Sequence, residues 1–111
     1  MELTLEARSE GPWTVLAVEG ELDLHTSSAL SDRLRELGEG ETPRVAVDMT
    51  QVGFMDSSGL GVLVAASKRL QESGGELALV GVSGSPLKVL SITGLDKVMP
   101  TFASVADLPG A

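Results

Sequence analysis

Two serines follow an aspartate at the point where an apolar segment ends and a helical pattern begins. The run reads Phe54-Met55-Asp56-Ser57-Ser58-Gly59-Leu60-Gly61. Asp and Ser commonly cap helices, because their side-chain oxygens accept hydrogen bonds from the first backbone N–H groups. The same unpaired N–H groups and the helix dipole favour an anion such as a phosphate. The run therefore predicts either a helix cap alone or a helix start that would tolerate a phosphorylated serine.

Other kinds of reactive site lack the residues that they need. A serine triad requires a histidine, and the only one is His25, which we expect at the surface; no G-x-S-x-G elbow accompanies it. The segment Gly81-Val82-Ser83-Gly84-Ser85 has a different spacing and indicates a strand-to-helix turn. The chain has no cysteine and no P-loop sequence. We therefore expect no catalytic residues, no metal site and no cofactor.

The charged residues are distributed unevenly along the chain. Of the 111 residues, 16 are acidic and 8 are basic, which gives a net charge of -8. Residues 1–56 hold 12 of the acids and only 4 of the bases. This charge argues against nucleic acid or an anionic membrane as a partner, because both attract cationic proteins. It is compatible with a basic protein partner, and equally with an acidic surface that only keeps the chain soluble.

The apolar segments are too short for a membrane helix, which needs about 20 consecutive apolar residues. The opening residues also lack the basic and apolar pattern of a signal peptide. We therefore expect a cytoplasmic protein.

The elements that must position the serines begin with a hairpin and then alternate between helix and strand. Alternating apolar residues and the turn at Gly11-Pro12 predict two strands, of which the second ends at Gly20. The later predicted elements are a helix capped within 26–28, a strand at 44–49, a helix opened by Asp56, a strand at 76–81, a helix capped by Ser85, a short strand within 98–102 and a helical turn at 104–108. This order predicts one α/β domain over residues 1–111: a mixed β-sheet of four to five strands with an N-terminal hairpin and about four helices.

The central run resembles the signature of the STAS domain, in the form of the single-domain bacterial anti-sigma factor antagonists. Gly20-Glu21-Leu22-Asp23 with Thr26 is similar to the first motif of that family, and residues 54–61 are similar to its central motif. Gly74-Gly75 and Gly94-Leu95 also fit the family pattern, so the resemblance covers almost the whole chain.

The resemblance implies a regulatory switch and not an enzyme. In the family, an anti-sigma factor with a histidine-kinase-like ATPase fold phosphorylates the first serine after the motif aspartate, which here is Ser57. The unphosphorylated antagonist binds the anti-sigma factor and frees the sigma factor, and a serine phosphatase resets the switch. The resemblance also implies a set of partner-binding residues: Asp23, Thr26, Asp56, Ser57, Ser58 and Gly59.

Three other interpretations stay open on the residues themselves. One is a STAS domain that senses a nucleotide or small ligand within a larger signalling assembly. A second is an acyl carrier protein, which also has Asp-Ser at a helix start but is all-helical. A third is a receiver domain with Asp48 as phosphoacceptor at a strand end, although the acidic pair that such a domain needs after its first strand is missing.

Overall fold

Five strands form one mixed sheet in the part of the chain that the computed structural model describes, residues 3–40 and 43–111. In spatial order they are β1 (Thr4–Glu10), β2 (Trp13–Leu22), β3 (Arg44–Met55), β4 (Glu76–Val80) and β5 (Thr101–Phe102). β1 and β2 pair antiparallel, and each later strand runs parallel to its neighbour. The mixed α/β sheet and the hairpin that the sequence predicts are therefore confirmed.

Three α-helices connect the parallel strands in the described residues. They are α1 (Ser27–Leu37), α2 (Ser57–Glu72) and α3 (Gly84–Thr93). Short 3-10 turns follow at Leu95–Lys97 and Val105–Asp107. The last predicted helical turn is thus a 3-10 turn, which leaves three α-helices where about four helices were expected.

The strands follow one another across the sheet in chain order, and each helix connects one parallel strand to its neighbour. Because such connections are right-handed, all three helices lie on the same face of the sheet. The main core fills the space between helices and sheet, and its fully buried members include Leu16, Val47 and Leu79 from strands and Leu30, Leu63 and Leu90 from helices. A smaller core on the opposite face consists of Trp13, Val15, Ala46, Ala78, Val80 and Leu108. The C-terminal segment covers this second core, since the Trp13 Nε1–H donates to the Pro109 carbonyl at 2.8 Å.

Two strands extend further than the sequence predicts. β2 does not end at Gly20 but continues to Leu22, and β3 does not end at Met49 but continues to Met55. The extensions pair with each other across two register shifts, one of which falls next to Gly20. Such irregularities break the alternation of apolar and polar residues, and for that reason the pattern alone ends both strands too early.

Two later elements also differ from the prediction. α3 begins at Gly84 after an N-cap at Ser83, two residues before the predicted cap at Ser85. Pro86 fits within the first turn, where its missing N–H costs no helical hydrogen bond. The last strand has only two residues, Thr101–Phe102.

Candidate functional site

The carboxyl ends of the parallel strands lie along one edge of the sheet, here called the carboxyl edge. α1, α2 and α3 all begin at this edge, because each follows the end of β2, β3 or β4. Leu22 and Met55 are paired at the ends of β2 and β3, and the Asp56 N–H donates to the Leu22 carbonyl at 3.0 Å. The two motifs that the sequence singled out are therefore adjacent in space.

Asp56 caps α2 and leaves Ser57 free at the surface. The Asp56 backbone is extended, and its Oδ1 accepts hydrogen bonds from the N–H groups of Ser58, at 2.8 Å, and Gly59, at 3.3 Å. Ser57 is exposed, whereas Asp56 and Ser58 are half-buried. Because the aspartate supplies the cap, the Ser57 hydroxyl at the first helical position is available to another molecule.

Gly59 allows α2 to approach the end of β2 closely. A Cβ built on Gly59 would lie 2.7 Å from the Leu22 Cβ and 3.1 Å from the Met55 Cγ. Gly61, two residues further along α2 and exposed, has no atom within 4 Å of an added Cβ. The first motif glycine therefore sets the position of the helix start, and the second does not.

The loop between β2 and α1 is held by Asp23 and Thr26. The Asp23 Oδ1 accepts the N–H groups of His25, at 2.9 Å, and Thr26, at 3.0 Å. The hydrogen bond from the Thr26 N–H is the main reason why the pKa of Asp23 lies below its ordinary value. The Thr26 hydroxyl accepts the Asp23 N–H at 3.0 Å and donates to the Glu21 carbonyl at 2.6 Å. Thr26 occupies the N-cap position of α1, but its hydroxyl closes the loop and does not cap the helix.

The six residues implied as partner-binding fall into two groups. Ser57 is exposed, and Asp23, Asp56 and Ser58 are half-buried at the carboxyl edge. Thr26 is only 5% exposed and Gly59 is buried, so these two residues support the backbone of the carboxyl edge and present little surface of their own. Sequence reasoning missed Leu24, which is 73% exposed in the Asp23 loop. Leu24 follows Leu22 at the two-residue spacing of a strand, so its apolar character gives no local signal that it is exposed.

The structure also bears on metal and phosphoacceptor sites elsewhere. Across residues 3–40 and 43–111, no group of three or more His, Cys, Asp or Glu side chains could hold a metal ion. A concavity of 110 Å³ on the open sheet face is lined partly by Glu6, Glu19 and Asp48.

Asp48 lies in the middle of β3, and its carboxylate accepts a hydrogen bond from the Thr50 hydroxyl at 2.6 Å. A receiver domain would need this aspartate at a strand end, and an acyl carrier protein would lack the sheet, so the fold contradicts both alternatives.

The helices of the described residues include none that is long and apolar enough to cross a membrane.

Comparison with known proteins agrees with this geometry. The family model described as STAS domain matches residues 4–108. The chain belongs to the STAS domain family. It is 31% identical to the anti-sigma F factor antagonist of Paenibacillus polymyxa over 103 residues, which cover 92% of this chain and 88% of that protein. It is 33% identical to the anti-sigma-B factor antagonist of Staphylococcus aureus (strain NCTC 8325 / PS 47) over 99 residues, which cover 89% of this chain and 92% of that protein.

A solved structure shows the same STAS fold. The crystal structure of an anti-sigma factor antagonist from Mycobacterium paratuberculosis superposes with a TM-score of 0.86 at 26% identity. The superposition covers 96% of this chain and 90% of that one. The agreement therefore extends over the sheet, the helices and the carboxyl edge together.

Proposed function

We propose that this chain is an anti-sigma factor antagonist and that phosphorylation of Ser57 releases it from its partner. One observation carries the proposal: Ser57 is exposed at the start of α2 and has no part in the helix cap, which Asp56 supplies. The relatives named as antagonists of anti-sigma factors support the role. In this role the chain binds an anti-sigma factor that is also a serine kinase, is reset by a serine phosphatase, acts in the cytoplasm and catalyses no reaction itself.

The partner-facing surface in this proposal combines the two loops of the carboxyl edge. Asp23, Asp56, Ser57 and Ser58 face the partner, because each keeps some exposed surface there. The buried Thr26 and Gly59 contribute through position: the first holds the Asp23 loop, and the second lets α2 lie against Leu22.

Phosphorylation would act on binding and leave the fold intact. A phosphate adds about 1.5 to 2 negative charges. At the start of a helix, free N–H groups and the dipole stabilise such a charge by roughly 0.3–1 kcal/mol when it is exposed. A partner that covers Ser57 must instead bury this charge next to Asp56, where repulsion and desolvation oppose binding. A difference of about 3 kcal/mol would weaken the affinity roughly a hundredfold.

The test begins by capturing the anti-sigma factor on the immobilised chain from a lysate of its source organism. The captured protein is then purified and incubated with the chain and ATP, and tandem mass spectrometry locates the phosphate. We expect it on Ser57. Ser57→Ala should bind the partner and resist phosphorylation, whereas Ser57→Asp should bind it poorly and keep its melting temperature within a few degrees. Ser91→Asp, which adds the same charge at an exposed site in α3, is the control that should bind like the parent.

Two results would overturn the proposal. The first is phosphate found mainly on Ser58 or on Thr26, whose side chain is buried in the loop. The second is a Ser57→Asp variant that unfolds or that binds the anti-sigma factor as tightly as the parent, because either outcome excludes a switch that acts by covering the surface.

A further inference from the structure

Exposed apolar side chains concentrate at the carboxyl edge. Five large apolar residues of the described chain are exposed, and three of them lie at this edge: Leu24, Phe54 and Leu87. Leu24 is in the loop after β2, Phe54 is one residue before the end of β3, and Leu87 is in the first turn of α3. A single exposed leucine needs no explanation, but three exposed apolar side chains at one edge favour that edge as an interaction surface.

Leu24 is the most exposed of the three, at 73%, and the chain around it is firmly held. The Asp23 carboxylate binds the N–H groups of His25 and Thr26, and the Ser27 N–H donates to the Asp23 carbonyl at 2.9 Å. The Ser27 hydroxyl also donates to the carbonyl of Leu24 itself, at 3.4 Å. A leucine presented on a pre-formed loop loses little backbone entropy when a partner covers it.

Leu24 lies within reach of a partner that covers Ser57. The Asp56 N–H donates a hydrogen bond of 3.0 Å to the Leu22 carbonyl. This bond holds the loop after β2 beside the start of α2. From Leu22 to Leu24 is two residues and from Asp56 to Ser57 is one, so the Cα atoms of Leu24 and Ser57 are at most about 18 Å apart. An ordinary protein interface buries about 800 Å² on each side, which is wide enough to include both.

We propose that Leu24 is the apolar anchor by which the chain holds its anti-sigma factor, which deepens the function proposed above and rests on it. The anchor enters an apolar pocket of the partner that is rimmed by Lys or Arg side chains. The rim follows from charge complementarity. Glu21 and Asp23 lie within three residues of Leu24, and Asp56 is held beside Leu22 by its N–H, so the edge that carries Leu24 is acidic. The Leu24 contact then favours binding, and a phosphate on Ser57 opposes it.

The test measures binding of purified variants to the anti-sigma factor identified by capture and by its phosphorylation of Ser57. Leu24→Gln keeps the size of the side chain and removes its apolar character. It should weaken the affinity about tenfold to a hundredfold, as expected for a leucine that is no longer buried. Most of the change should appear as faster dissociation. Leu24→Met, which stays apolar, should bind within about threefold of the parent.

Ile92→Gln is the matched control. Ile92 is 85% exposed in the last turn of α3, away from the carboxyl edge, so this variant should bind within about twofold of the parent. All three variants should keep the melting temperature of the parent, since the replaced side chains lie at the surface.

The outcomes separate this inference from the proposed function. If Leu24→Gln binds like the parent while Ser57→Asp does not bind, Leu24 is not the anchor and the phosphorylation switch stands. If Leu24→Gln and Ile92→Gln weaken binding equally, the edge has no special apolar contact and the inference is also wrong. If Ser57→Asp binds like the parent, the proposed function fails and the inference fails with it.

Discussion

At the scale of single residues, Asp56 caps α2 and leaves Ser57 without a part in the cap. Its Oδ1 accepts two N–H groups of α2, so the cap does not depend on Ser57. We expect Asp56→Ala to lower the free energy of unfolding by about 1 kcal/mol, the usual effect of losing such a cap. Chemical denaturation measures this change. Asp56→Asn, which retains a side-chain acceptor, should stay close to the parent, and equal losses in both variants would contradict the capping role.

Asp23 makes the first loop sensitive to acid. Its pKa is lowered from the ordinary 3.8, mainly by the hydrogen bond from the Thr26 N–H. The ionised carboxylate therefore stabilises the folded loop above about pH 4, and this contribution is lost as the pH falls through the lower folded pKa. Carboxyl NMR titration should give a midpoint for Asp23 below that of a peptide of residues 21–27. Identical midpoints would show that the loop hydrogen bonds do not favour the charged form.

At the scale of elements, the start of α2 is fixed by how closely it lies against the end of β2. An added Cβ at Gly59 would lie 2.7 Å from the Leu22 Cβ and 3.3 Å from the Leu22 carbonyl oxygen. We expect Gly59→Ala to destabilise the chain by about 1–3 kcal/mol, although alanine favours helices, because the helix must move away from the strand. Thermal denaturation followed by circular dichroism measures the effect.

Gly61→Ala is the matched control in the same helix. It adds the same methyl group two residues away, where nothing lies within 4 Å. Since alanine has the higher helix propensity, this variant should be more stable by up to about 1 kcal/mol. Opposite signs for the two substitutions would support close approach at Gly59. A stabilised Gly59→Ala would show that the helix start can shift without cost.

At the scale of the whole molecule, the C-terminal segment completes the second core. Leu108 is 2% exposed and packs in the cluster that contains Trp13. We expect Leu108→Ala to cost about 2–4 kcal/mol of stability, as for other buried leucines. The emission of Trp13, the only tryptophan, should also shift to longer wavelength as water reaches it. Ile92→Ala removes an exposed side chain and should change stability by no more than about 0.5 kcal/mol.

The acidic residues of the carboxyl edge should affect the rate constant for association with the anti-sigma factor. The double variant Asp23→Asn and Asp56→Asn removes two charges from the carboxyl edge and keeps an acceptor at both positions. We expect it to associate with the anti-sigma factor about two- to fivefold more slowly at about 0.1 M salt, because attraction to a basic partner is weaker. The difference should shrink at higher salt, where charges are screened over shorter distances.

The matching control is Glu72→Gln with Glu76→Gln. Both residues lie at the end of α2 and the start of β4. Because α2 has 16 residues, they are about 24 Å from the carboxyl edge, beyond the screening length of about 10 Å at 0.1 M salt. This variant should associate like the parent. If both double variants slow association equally, only the net charge matters and not its position at the edge.

The order of elements and the residues of the central motif could be predicted from the sequence, because both depend on local physics. Alternating apolar residues define strands, three- and four-residue spacing defines helices, and an aspartate before a helix supplies a cap. The hairpin, the alternation of strand and helix and the start of α2 after Asp56 follow from these rules. The identity of Ser57 as the candidate phosphoacceptor came from the family resemblance added to that local pattern.

Contacts between distant segments required the tertiary structure. The pairing of Leu22 with Met55 lengthens both strands and brings residues 20–26 beside residues 54–61, and no local periodicity encodes a partner about thirty residues away. The same long-range packing buries Thr26 and crowds Gly59, and it leaves Leu24 exposed. Local sequence patterns identify the residues that can cap a helix, carry a phosphate and form the core. Tertiary packing decides which of them lie at the surface, because exposure depends on what the rest of the chain covers.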